Sequence, residues 1–121
     1  MLENDPKFKA AAKAIWEKAR KGRDQNETGN YIQPDLSSGE VQVSKQDGKA
    51  TIRVPRSAIA LIHTHPAWGG GQPSGPDIDS AKAFGKNIYV VSKSGLQVAD
   101  KYGKVTNVYN NPNWYDEEHP K

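Results

Sequence analysis

Residues 58–77 carry Ala58-Ile-Ala-Leu-Ile62, then His63-Thr64-His65-Pro66, a glycine-rich stretch from Trp68 onward, and Ser74-Gly75-Pro76-Asp77. The apolar run 58–62 has the length of a buried strand and is too short for a helix. It runs into the two histidines, and Pro66 ends it, because proline cannot donate to a strand ladder. On a strand, residues i and i+2 leave the same face, so both imidazoles can reach one ion. The chain has only three histidines, and this pair takes two of them. Beyond the glycine loop, Gly75-Pro76-Asp77 opens a helix through about Phe84, with Gly85 as its exit.

Outward from this stretch, the downstream pattern predicts strands over 87–92, 96–99 and 105–109, with a turn at Ser94-Gly95. Residues 110–121 are polar and read as a loose tail. Upstream, Asp5 is a candidate N-cap and Pro6 suits the first helical position. Phe8, Ala12, Ile15 and Ala19 recur at helical spacing, and Gly22 is the expected exit. A polar link over 23–26 leads to a strand over 27–33. Val41 and Val43 alternate before Asp47-Gly48, a hairpin signal, and Ile52 and Val54 alternate after it. The expected fold class is α/β (α+β), a single mixed sheet flanked by helices. One domain spans 1–121, with its core over about 7–109.

Composition narrows the classes further. Leu, Ile, Val and Phe make up 21 of 121 residues, which falls below the roughly 20% that accompanies disorder at high net charge. Here 17 basic and 14 acidic residues leave only +3, so the chain reads as folded with a thin core. Such a core gains from a metal, a partner or a larger parent chain. No apolar run approaches the roughly 18 residues of a membrane span, and the start is no signal peptide. The expected location is cytoplasmic, or inside a target cell reached as part of a larger secreted protein. With no cysteine, disulfides, thiolate zinc sites and cysteine nucleophiles are excluded. The basic residues are interleaved with acids, so neither a nucleic-acid surface nor a membrane surface is expected.

Two imidazoles need a third ligand from beyond the loop, and Asp77 in the first turn of the second helix is the candidate. Asp79 is the rival carboxylate. Two histidines and one carboxylate make a three-ligand zinc shell with a position open for water, the composition of a catalytic site. Zinc bound in that way lowers the pKa of its water toward neutrality. A carboxylate must then take the water's proton. Ser74, before Gly-Pro, is a natural N-cap.

His63-Thr-His65-Pro66 followed by Ser74-Gly-Pro-Asp77 resembles the His-x-His-Pro … Ser-x-x-Asp signature of JAMM metalloproteases, the JAB/MPN group. The loop of eight residues before Ser74 is one longer than is usual there. The resemblance covers most of the chain and implies a cytidine-deaminase-like architecture and a Zn2+ cofactor. It implies His63, His65 and Asp77 as ligands, and Ser74 as a donor to the oxyanion. It also implies Glu27, in Glu27-Thr-Gly29, as general base, with Glu40 as runner-up. The activity implied is hydrolysis of an amide bond in a peptide or protein by a metal-activated water, as a peptidase or isopeptidase. Compact domains of this kind resemble those ending bacterial polymorphic toxins and RHS-repeat proteins, which implies an effector role and an immunity protein or larger parent chain as partner. The alternatives are a metal-dependent nuclease toxin and an inactive JAB-like protein-binding scaffold. Trp68 lines a substrate cleft or caps the core, and His119 is read as a solvated residue of the tail.

Overall fold

In the computed structural model of this chain, the residues described are 2–21, 27–43, 53–66, 72–111 and 114–116. They hold six strands: β1 (Thr28–Ile32), β2 (Gln42–Val43), β3 (Ala60–Thr64), β4 (Asn87–Ser92), β5 (Gly95–Ala99) and β6 (Val105–Tyr109). These strands form one sheet in the order β2-β1-β3-β4-β5-β6. β3 and β4 are parallel and every other neighbour is antiparallel. A parallel pair needs a crossover, and helix α2 (Gly75–Phe84) supplies it between β3 and β4. Helix α1 (Pro6–Lys18) precedes the sheet. The mixed α/β sheet flanked by helices is therefore present as expected.

Side chains alternate along each strand, so each strand divides its residues between the two faces. Ala60 and Ile62 of β3, Tyr89 and Val91 of β4, and Leu96 and Val98 of β5 meet Phe8, Ala12 and Ile15 of α1 in the main core. Full burial of a side chain such as Phe8 or Ile15 contributes roughly 1.5–3 kcal/mol. On the other face, Ile88 and Ala99 pack with Ala81, Ile78 and Leu61 in a smaller cluster under α2. β3 and β4 are thus covered on both sides, which is why their sequences run almost continuously apolar. His63 shares the parity of Leu61, so it emerges on the α2 face.

The start of α1 follows local chemistry. Asp5 Oδ1 accepts the Lys7 N–H at 2.8 Å, and Pro6 takes the first helical position. Its end does not follow the expectation of an exit at Gly22. The helix stops at Lys18, and Arg20 and Lys21 take positive φ of 55° and 56°. The Lys21 N–H closes onto the Trp16 carbonyl at 2.8 Å. With the Arg20 N–H on the Glu17 carbonyl at 2.9 Å, these bonds close the helix end, and Gly22 lies outside the described residues.

The expected hairpin turn at Asp47-Gly48, and Ile52 beyond it, lie outside the described residues, and Val54 is irregular rather than strand. The Gln42 side chain pairs with the Arg53 backbone, donating to its carbonyl at 3.0 Å and accepting its N–H at 2.8 Å.

After β6 the chain does not simply trail off. A short 3-10 turn over Trp114–Asp116 drives Trp114 fully into the main core, stacked on Tyr109 at 5.1 Å, with Tyr115 buried beside it. The aromatic area outweighs the polar character of the neighbouring residues. No described helix is long and apolar enough to cross a membrane.

Candidate metal centre

β3 lies inside the sheet, between β1 and β4, and this is what makes its histidines rigid. Gly29 of β1 and Val90 of β4 stand level with His63 on either side. His65 is just past the end of β3, yet its N–H donates to the Val91 carbonyl at 2.9 Å. The residue is therefore still held at strand spacing, and both rings leave the same face. His63 and His65 are both buried, with ring centroids 5.1 Å apart. They stand at the carboxyl end of a parallel strand, where open α/β sheets place their sites.

Glu27 directly precedes β1. It lies two residues before Gly29, on the same face, and Gly29 puts no side chain between it and His63. Glu27 Oε1 is 2.9 Å from His63 Nδ1. A carboxylate can only accept, so the hydrogen sits on Nδ1, and Nε2 is left to face the other way.

Asp77 arrives from α2. Ser74 is the N-cap: its Oγ accepts the Asp77 N–H at 3.1 Å, while Asp77 Oδ2 accepts the Ser74 N–H at 2.9 Å. This reciprocal box fixes the carboxylate against the histidines. Oδ1 is 3.1 Å from His63 Nε2, and Oδ2 is 3.3 Å from His65 Nε2. Asp79 is exposed further along α2, and Glu40 is exposed just before β2. The four residues Glu27, His63, His65 and Asp77 are thus brought together from three parts of the chain, with Ser74 at the rim. Trp68 and His119 lie outside the described residues.

The charges are strongly coupled. Burial alone would lower the His63 pKa, but the carboxylates of Asp77 and Glu27 outweigh it and push the imidazole from 6.5 up to about 9. Burial works against ionised Asp77 as well. Its contacts to His63 and His65, with the Ser74 N–H, still hold the carboxyl well below the usual carboxylate range.

One detail indicates what the cluster is suited to hold. His63 Nε2 is buried and has no hydrogen-bond partner among the described residues, although Asp77 Oδ1 is only 3.1 Å away. The contact is close enough for an ion pair, yet its direction does not make a hydrogen bond. A buried ring nitrogen left without a hydrogen bond, facing a carboxylate oxygen, suits a cation between them. Glu27, His63 and His65 each offer a ligand atom within 4.8 Å of the others, and Asp77 adds a carboxylate across both Nε2 atoms. Imidazole and carboxylate together suit a divalent transition metal.

No family model and no curated protein matches the sequence. Among solved structures, the chain is similar to the crystal structure of a JAB1/MPN domain protein from Archaeoglobus fulgidus. The TM-score is 0.53 at 18% identity, over 84% of this chain and 94% of that chain. The fold is that of a JAB1/MPN domain. Within this JAB1/MPN fold, the His-x-His strand is β3 and the Ser-x-x-Asp turn is the N-terminus of α2, matching the expected order of elements.

Reading the residues alone overlooks Thr64. Its hydroxyl accepts the Thr28 N–H at 3.0 Å in a buried contact. Nothing local signals this, because the partner is 36 positions away in the chain.

Proposed function

We propose that the chain is a zinc-dependent metallopeptidase or isopeptidase that hydrolyses an amide bond in a peptide or protein. The observation that carries the proposal is the convergence of the Nε2 atoms of two buried histidines on the two oxygens of Asp77, the His63 nitrogen having no hydrogen-bond partner among the described residues. His63, His65 and Asp77 would hold the zinc, which suits three-ligand sites of this composition. When bound, zinc supplies a Lewis acid that polarises a carbonyl and brings a water's pKa toward neutrality.

The chain's own residues carry the remaining steps. Glu27 holds the His63 Nδ1–H through Oε1. Its second oxygen takes a proton from the attacking water and then passes it to the leaving nitrogen. Ser74 Oγ already accepts the Asp77 N–H, so its own hydrogen is left to donate to the carbonyl oxygen as negative charge develops there. The compact domains that end RHS-repeat proteins suggest an effector role, with an immunity protein as partner. Growth arrest on cytoplasmic expression, relieved by Glu27→Gln, is the expected result of that role.

Elemental analysis of protein purified without chelator, alongside a peptide-cleavage screen, tests the site. About one zinc per chain is expected in the wild type and none in His63→Ala. Glu27→Gln keeps the metal while turnover falls by roughly 10²–10⁴-fold, the range for removing a general base. Asp77→Ala loses both metal and turnover, and Asp79→Ala loses neither. If Glu27→Gln loses the fold or the metal, the assignment of Glu27 as the base fails. If Asp79→Ala rather than Asp77→Ala loses it, the third ligand is reassigned.

A further inference from the structure

Thr64 stands between the two histidines and points to the opposite face of β3, where it is fully buried. The β1–β3 register ends with Gly29 opposite His63. One step further along, where Thr28 would face Thr64, a side chain takes over the bond: Thr64 Oγ1 accepts the Thr28 N–H at 3.0 Å. That N–H belongs to the planar peptide unit joining Glu27 to Thr28. Fixing it orients the backbone from which the Glu27 side chain leaves. On the other face of the sheet, Glu27 Oε1 meets His63 Nδ1 at 2.9 Å. Two contacts on opposite faces therefore tie the Glu27–Thr28 peptide and the Glu27 carboxylate to adjacent residues of one strand.

We infer that Thr64 is a positioning residue for the metal centre: acting through the Glu27–Thr28 peptide and the Glu27 carboxylate, it keeps the His63 hydrogen on Nδ1 and Nε2 turned toward Asp77 as the ligand atom. This rests on the reading of His63 as a ligand. A ligating histidine generally depends on the group that holds its other ring nitrogen. Here that group is itself held by the residue next to the ligand in sequence. Valine matches threonine in shape but offers no acceptor, whereas serine keeps the oxygen. Their contrast separates the hydroxyl from the packing.

The test is a zinc titration of the whole chain against a chromophoric chelator. Variants are Thr64→Val, Thr64→Ser, Glu27→Ala and the double variant Thr64→Val/Glu27→Ala. Loss of a supporting group costs roughly 10–100-fold in metal affinity, so Thr64→Val and Glu27→Ala should each bind zinc about tenfold more weakly or worse. Thr64→Ser should stay within about twofold of wild type, and the double variant should be no weaker than Glu27→Ala, since coupled residues are not additive. Wild-type affinity in Thr64→Val, full weakening in Thr64→Ser, or additive losses in the double variant would each overturn the inference. Wild-type protein that takes up no zinc would overturn the ligand reading itself, and the same titration separates that result from the others. If Thr64→Val does not fold, Thr64→Ala removes the same acceptor without overpacking the face.

Discussion

His63 sits between two carboxylates, Glu27 on Nδ1 and Asp77 on Nε2, and that position predicts how pH acts on metal-free protein. The imidazole pKa rises from 6.5 to about 9 on folding. Between those values the folded state binds the proton that the unfolded state has released. Stability therefore falls as pH rises: the contribution is full below pH 6.5 and is lost through about pH 9. Urea denaturation of chelated protein across this window should show the decline, and His63→Gln should be flatter. A decline of equal slope in His63→Gln would remove His63 as its source. At this scale the sequence reveals the histidine pair and, through the serine spacing, Asp77. The bond from Glu27 to His63 spans 36 positions and depends on how β1 lies against β3, which no local pattern encodes.

Helix α2 performs two tasks with one motif. Ser74 caps the helix and in the same box locks the Asp77 carboxylate onto both histidines. Ser74→Ala should cost about 0.5–2 kcal/mol, as loss of an N-cap generally does, and turnover should fall with it. Ser74→Asp restores a capping acceptor but offers no hydrogen at the carbonyl oxygen. Thermal melts should therefore recover while turnover does not, and recovered turnover would remove the hydroxyl from the mechanism. Both ends of α2 are legible locally: Pro76 lies in the first turn, and Gly85 takes a left-handed φ of 65° that favours glycine. The end of α1 is not legible in this way, because Arg20 and Lys21, neither of them glycine, take the left-handed φ that closes the helix before Gly22 is reached.

For the molecule as a whole, one sheet carries cores on both faces, and the larger core is closed by a residue from beyond the last strand. Trp114 is fully buried against Phe8 and Tyr109, while Lys9 and Lys13 of α1 lie over the Tyr109 and Tyr115 rings. Trp114→Ala should cost about 3–5 kcal/mol, the usual range for removing a buried aromatic. Denaturant midpoints would measure it, and a loss under 1 kcal/mol would mean the turn is not part of the cooperative core. A polar composition suggested a loose tail here because one tryptophan among polar neighbours has no periodicity, and its burial depends on a surface assembled from α1, β4 and β6. The strands apart from the one expected around Ile52 and Val54, the helix starts, the His-x-His pair and the Ser-x-x-Asp turn were readable from local pattern, since alternation, capping and spacing act within a few residues. Strand order, the approach of Glu27 and Thr64, and the burial of Trp114 arose only on folding, because each joins groups that the chain keeps far apart until the sheet has formed.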